Sequence, residues 1–147
     1  MKISDFLSPA EVLFGLRVED RDELLREFAR MAATKVKLPD SEIAAELLKR
    51  ETLGSTGMGE GVAIPHARYA KLRKPFGMMA KLKQPIEFQA IDNHPVDLVF
   101  LLLLPATTEG EQLGALACVA RKLRAADELA KLRRSKNSAE LYAVLTA

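Results

Sequence analysis

One stretch constrains the fold more than any other: Val96-Asp97-Leu98-Val99-Phe100-Leu101-Leu102-Leu103-Leu104, which is apolar at every position from Leu98 onward. A strand with one wet face alternates apolar with polar residues, because successive side chains point to opposite faces. An unbroken run removes that alternation and predicts a central strand covered on both faces. The apolar stretch Val99 to Ala106 is far shorter than the roughly 20 residues a membrane span requires.

Helical patterns before and after this strand supply the cover. Asp20 and Glu23 have capping-box spacing and open a helix with Leu24, Leu25, Phe28, Met31 and Ala32 on one face. Pro39 ends a linker, and Asp40 or Ser41 caps a second helix carrying Ile43, Leu47 and Leu48. Residues 4–14 read as a short strand or irregular lead-in around Pro9. Residues 54–61 form a glycine-rich loop before a short strand, Val62-Ala63-Ile64, and Gly77 to Leu82 reads as another strand, with Ile86-Glu87-Phe88 extended. Asp92-Asn93 turns the chain into the central strand. A third helix is expected from Glu109 to Arg124, with Leu113, Leu116, Ala120 and Leu123 buried. A fourth covers about 127–134 with Leu129 and Leu132, and a fifth starts near Asn137 and buries Leu141, Val144 and Leu145. The pattern predicts an α/β three-layer sandwich, a mixed sheet with helices on both faces. A length of 147 residues suits one domain with a single core, spanning 1–147.

Composition narrows the function. Lys plus Arg exceeds Asp plus Glu by 22 − 20, an excess of +2 too small to argue for nucleic acid or a membrane surface. The absence of tryptophan leaves few stacking platforms for single strands. The lone Cys118 suits a reducing compartment, and the N-terminus lacks signal-peptide character, so a cytoplasmic location is expected.

Four of the eight glycines fall at 54, 57, 59 and 61. Such density allows backbone N–H groups to converge on an anion, although neither a Walker loop nor a dinucleotide fingerprint is present. Arg50 precedes the loop, Ser55 and Thr56 offer hydroxyls, and Ile64-Pro65-His66 closes it. Pro65 biases Ile64 toward extended geometry and so sets how His66 leaves the strand. A neutral imidazole is a good nucleophile toward phosphorus near pH 7. A guanidinium, two hydroxyls and the amides of Gly57, Gly59 and Gly61 would stabilise the charge of an N-phosphoryl product. The set is complete for phosphohistidine chemistry.

Arg50-Glu51-Thr52-Leu53-Gly54-Ser55-Thr56-Gly57 followed by Gly61-Val62-Ala63-Ile64-Pro65-His66 resembles the signature of the mannitol/fructose-type IIA domains of the bacterial phosphoenolpyruvate-dependent phosphotransferase system. Pro85-Ile86-Glu87-Phe88, Ala90-Ile91-Asp92-Asn93 and Pro95-Val96-Asp97-Leu98-Val99-Phe100 are similar to its nitrogen-regulatory branch. The resemblance implies a phosphocarrier, a relay component rather than a turnover enzyme. His66 would be phosphorylated on Nε2 by an HPr/NPr-type histidine phosphocarrier, with Arg50 lining the centre and the Ser55/Thr56 loop assisting. Partners implied are regulated transporters, kinases or metabolic enzymes in nitrogen, potassium or carbon regulation. No cofactor, metal, nucleic acid or membrane insertion is implied. Two positions depart from the pattern: Gln112 falls where the family has a second active-site histidine, and Ala67 where a glycine usually follows the active one. Gln can donate a hydrogen bond to phosphate oxygens but cannot carry charge, which leaves a binding-only regulatory module as the alternative.

His94 is expected to be an exposed turn residue, and His66, His94 and Cys118 lack zinc-site spacing. Cys118 reads as a packed side chain, and at least one of Met78 and Met79 as core. The basic residues Arg121, Lys122, Arg124, Lys131, Arg133, Arg134 and Lys136 read as a solvated helical face rather than a DNA reader.

Overall fold

The chain is described by a computed structural model over residues 1–106 and 110–147, with side chains given except at 110–113. Two single-turn 3-10 segments, Ile3–Asp5 and Pro9–Glu11, lead into β1 (Val12–Leu16). The order then runs α1 (Arg21–Val36), α2 (Asp40–Thr52), β2 (Gly57–Gly59), β3 (Val62–Ala63), β4 (His66–Tyr69), β5 (Phe76–Ile86), β6 (Val96–Pro105), α3 (Gly110–Arg124), α4 (Ala126–Arg134) and α5 (Ser138–Thr146). Among the described residues no helix is long and apolar enough to cross a membrane.

The sheet is mixed and six-stranded, ordered β1-β5-β6-β3-β2, with β4 also on β6. β5 runs antiparallel to β6, whereas β3 and β4 are parallel to it. As the apolar run demands, β6 is buried throughout its second half: Val99, Leu101 and Leu103 face the layer of α1 and α2, while Leu98, Phe100, Leu102 and Leu104 face the layer of α3, α4 and α5. The three-layer α/β sandwich expected from the sequence is therefore the fold, and the sheet divides its core in two. Met78 and Met79 are both core, one in each layer.

β3 and β4 are one parallel strand with a gap. Val62 pairs with Leu98 and Ala63 with Val99; past Ile64-Pro65, His66 pairs with Leu102 and Ala67 with Leu103. The register is the same on both sides, so the interruption inserts no extra residue. In the gap Ile64 N–H donates to Thr56 O at 3.1 Å, and Leu102 N–H donates to Pro65 O at 2.9 Å.

Several local expectations need correction. The α2 N-cap is Pro39, with no capping side chain, so Asp40 and Ser41 are the first helical residues. The segment at 54–61 is not wholly a loop, because β2 pairs antiparallel with β3 as a hairpin. His66 begins a strand rather than leaving one. The buried stripe of α3 is Ala115, Val119 and Leu123, with Leu116 and Ala120 only partly covered, a rotation from the expected stripe. Glu109 and the Leu113 side chain lie outside the described residues. The caps of α1 and α5 are as expected: Asp20 accepts from Glu23 N–H at 2.8 Å and Asn137 from Glu140 N–H at 2.9 Å.

Candidate functional site

α2 sits on the sheet through Ile43 and Leu47. Tyr69 OH donates to Ile43 O at 2.8 Å and ties β4 to the helix. Burial, with Glu46 and Glu42 nearby, pushes that hydroxyl well above the ordinary tyrosine range, so it remains a donor. Ala67 and Tyr69 enter the α1–α2 layer; His66 and Arg68 alternate with them along β4 and border the C-terminal half of α2.

A shallow depression of about 280 Å³ lies between α2 and β4, lined by Glu46, Lys49, Arg50, Leu53, His66, Ala67 and Arg68. The first four are spaced i, i+3, i+4 and i+7, one face of a helix. Three cations and one carboxylate line it, and Leu53 adds an exposed apolar lip. Arg50 donates from Nη1 to Gly54 O at 2.8 Å, which holds the helix end to the loop and uses one of five guanidinium N–H groups.

His66 is half-buried, with Nδ1 2.8 Å from Ile64 O. A carbonyl only accepts, so the proton resides on Nδ1 and the lone pair on Nε2. Burial depresses the imidazole below its ordinary 6.5; the Ile64 hydrogen bond opposes this, the Arg50 and Arg68 charges reinforce it, and Glu51 opposes it. The ring is thus neutral at pH 7, and among the described residues no group is hydrogen-bonded to Nε2. Because the unfolded chain binds this proton more readily, the histidine destabilises the fold as pH falls from about 6.5 through the lowered folded midpoint, and has no effect above that window. Titration of the His66 ring by NMR should show a midpoint below 6.5; a midpoint at or above it would contradict the burial effect.

The other residues expected around His66 are placed differently. Ser55 Oγ donates to Phe88 O at 2.7 Å, and its oxygen accepts from Gly57 N–H at 3.0 Å. Thr56 donates its hydroxyl to the buried Glu51 carboxylate, and its N–H to the same group at 3.2 Å. Glu60 (φ 57°) and Gly61 (φ 77°) form the two-residue hairpin tip, where both central residues need positive φ. That tip is stapled by carboxylates and one cation: Glu60 N–H donates to Asp92 at 2.9 Å, and Arg133 Nη2 donates to Glu60 O at 2.5 Å and Asp97 at 3.0 Å. Gly57 is needed for close approach, since a Cβ there would lie 2.9 Å from the Ala90 backbone. Ser55, Thr56, Gly57, Gly59 and Gly61 therefore do not line the depression. The side chain of Gln112 lies outside the described residues. Sequence reasoning missed Lys49 and Arg68, which projection of the Arg50 face along α2 and of His66 two residues along its strand would have found.

Away from this site, His94 is exposed, 3.4 Å from Asp92, and Cys118 is partly packed with Sγ 3.5 Å from Met1 O. Lys122 pairs with Glu128 at 3.3 Å, so part of the basic C-terminal set is engaged within the molecule.

Residues 5–147 match the model of the family described as phosphoenolpyruvate-dependent sugar phosphotransferase system, EIIA 2. The chain belongs to that family. Among similar proteins, the nitrogen regulatory protein of Bradyrhizobium diazoefficiens is 43% identical over 145 residues, covering 99% of this chain and 95% of the relative. The crystal structure of nitrogen regulatory protein IIA-Ntr from Neisseria meningitidis superposes with a TM-score of 0.93 at 32% identity, covering 98% of this chain and 99% of that one. The IIA mannitol structure from Escherichia coli shares the fold, with a TM-score of 0.79 at 16% identity and coverage of 95% and 98%. The resemblance found in the sequence is thus an EIIA 2 membership alongside nitrogen-regulatory relatives.

Proposed function

We propose that this EIIA 2 chain is a phosphocarrier, acting as one unit over residues 1–147, with His66 as phosphoacceptor. The observation that carries the reading is the neutral His66 ring, protonated at Nδ1 against Ile64 O, in a depression shared with Arg50, Lys49 and Arg68. The Nε2 lone pair attacks the phosphorus of a phosphohistidine on an HPr/NPr-type carrier. The donor N–P bond breaks, its electron pair returns to the donor imidazole, and a new N–P bond forms at Nε2 while Nδ1 keeps its proton. Arg50 has N–H groups suited to the phosphoryl oxygens, and Lys49 and Arg68 add positive charge. The Ser55/Thr56 loop assists by fixing the strand gap that carries His66. Phosphorylation adds about −1.5 to −2 charges to a cationic surface. That change selects between partners, which we take to be transporters, kinases or enzymes under nitrogen, potassium or carbon control, and the protein works in the cytoplasm.

The test is incubation with phosphoenolpyruvate, the general phosphotransferase enzyme and an HPr-type carrier, followed by intact mass. The expected result is an acid-labile gain of about 80 Da, one phosphoryl group, mapped to His66. No gain would overturn the relay and leave a binding-only regulator, the reading to which Gln112 points.

A further inference from the structure

Glu51 is a charged residue with no evident reason to be inside. Its residue exposure is 5%, and among the described residues it forms no ion pair. A buried carboxylate without a cation is costly unless its oxygens are hydrogen-bonded. Both of its donors come from one residue, the N–H and hydroxyl of Thr56. The hydrogen bonds continue from there in one direction. Thr56 O accepts from Ile64 N–H at 3.1 Å, and Ile64 O is 2.8 Å from His66 Nδ1. The chain thus runs from a carboxylate at the end of α2, across the first residue before the hairpin, through the strand gap, to the imidazole.

We propose that Glu51 is the positioning residue of His66, holding the Nδ1–H tautomer and the setting of the ring through the backbone of Thr56 and Ile64. Glu51 fixes Thr56; Thr56 O holds the Ala63–Ile64 peptide through Ile64 N–H; the carbonyl of Ile64, in the next peptide and followed by the rigid Pro65, then presents its lone pair to Nδ1–H. The N–H and C=O of Thr56, and those of Ile64, belong to successive peptide units, so the chain of hydrogen bonds transmits placement, while the charge of Glu51 acts on the ring through space. Orienting groups of this kind select which ring nitrogen stays free. The Glu51 charge also favours the protonated ring, against Arg50 and Arg68, which disfavour it. Nucleophilic attack through Nε2 leaves positive charge on the ring, so the same influence favours the phosphorylated state. Glu51 touches no reacting atom.

The kinetic part rests on the phosphocarrier reading, whereas the spectroscopic part does not. Glu51→Gln keeps an oxygen for Thr56 and removes the charge. In ¹⁵N-labelled protein the His66 ring of Glu51→Gln should show a measurable Nε2–H population and a lower titration midpoint than wild type, with thermal unfolding little changed. Phosphorylation from the HPr-type carrier should slow about tenfold, the lower end of what loss of an orienting partner costs at a metal-ligating histidine. Glu51→Asp retains the charge and should move the midpoint back toward wild type, which a purely structural role would not require. A folded Glu51→Gln with wild-type ring spectrum and rate overturns the assignment. Should Glu51→Gln not fold, Thr56→Val removes one link alone, and an unchanged spectrum there overturns it equally. A wild type that takes no phosphoryl group while Glu51→Gln still shifts the ring spectrum would sink the phosphocarrier reading and support Glu51.

Discussion

Replacing His66 by alanine is expected to eliminate the acid-labile mass gain completely while leaving the fold in place. The nucleophile in the proposed step is one lone pair, and neighbouring groups cannot substitute for it. Lys49, Arg50 and Arg68 are cations, and the Ser55 and Thr56 hydroxyls are donated to Phe88 O and Glu51. The only other histidine in the chain, His94, lies beside Asp92 in an exposed turn and does not line the depression. The fold should tolerate the change because the ring is half-buried at a strand position whose neighbours, Ala67 and Tyr69, carry the contacts to the α1–α2 layer. Circular dichroism and the unfolding midpoint should therefore stay near wild type as the phosphoryl adduct disappears. Retention of the adduct in this variant would move the acceptor elsewhere.

Phe100→Ala should do the reverse. Phe100 is fully buried near the middle of β6. Its ring meets Phe6 edge to face, with centroids 6.2 Å apart and planes at 74°. It also lies so close to Gly77 that a Cβ there would be 2.9 Å from it. Gly77 N–H in turn donates to Phe6 O at 2.8 Å, so one ring supports the N-terminal turn, β5 and β6 together. Removing it leaves a cavity that rigid neighbours cannot collapse into, with an expected cost of about 3–5 kcal/mol. That is a large share of the 5–15 kcal/mol typical of a domain. The unfolding midpoint should fall by roughly 10–15 °C, measured by calorimetry, while the His66 ring spectrum well below the midpoint stays close to wild type. A loss under about 1 kcal/mol would contradict the tight packing around this ring.

The layers were legible because their cause is written in sequence order. A continuous apolar strand needs cover on both sides, and the amphipathic helices at 21–36 and 126–134 can supply it. The hairpin was not legible, because β2 is held by pairing with β3, and the tip at Glu60 by contacts from Asp92 and Arg133, residues more than thirty positions away. Local glycine content suggests an anion cradle equally well. β4 escaped notice because Pro65 punctuates it, yet the register against β6 continues across the gap. The rotated stripe on α3 has a similar origin: apolar residues are so frequent there that several faces fit, and the contact with the sheet decides. At the site, His66 and Arg50 stood out by residue type. The role argued for Glu51 depended on burial, which no spacing reveals.

The split strand also limits how His66 can meet anything. A reactive side chain on a loop can swing toward its counterpart. This one is mounted on a rung of the central sheet, with its peptide pinned against Leu102 and its ring tethered to the residue two before it. It is a fixed terminal, so a visiting molecule must carry its own reacting atom the whole distance and arrive in the right orientation. In the proposed transfer, exchange at such a terminal would be governed by encounter geometry. The positive charge of Lys49, Arg50 and Arg68 around it makes the encounter rate for an acidic visitor fall with ionic strength.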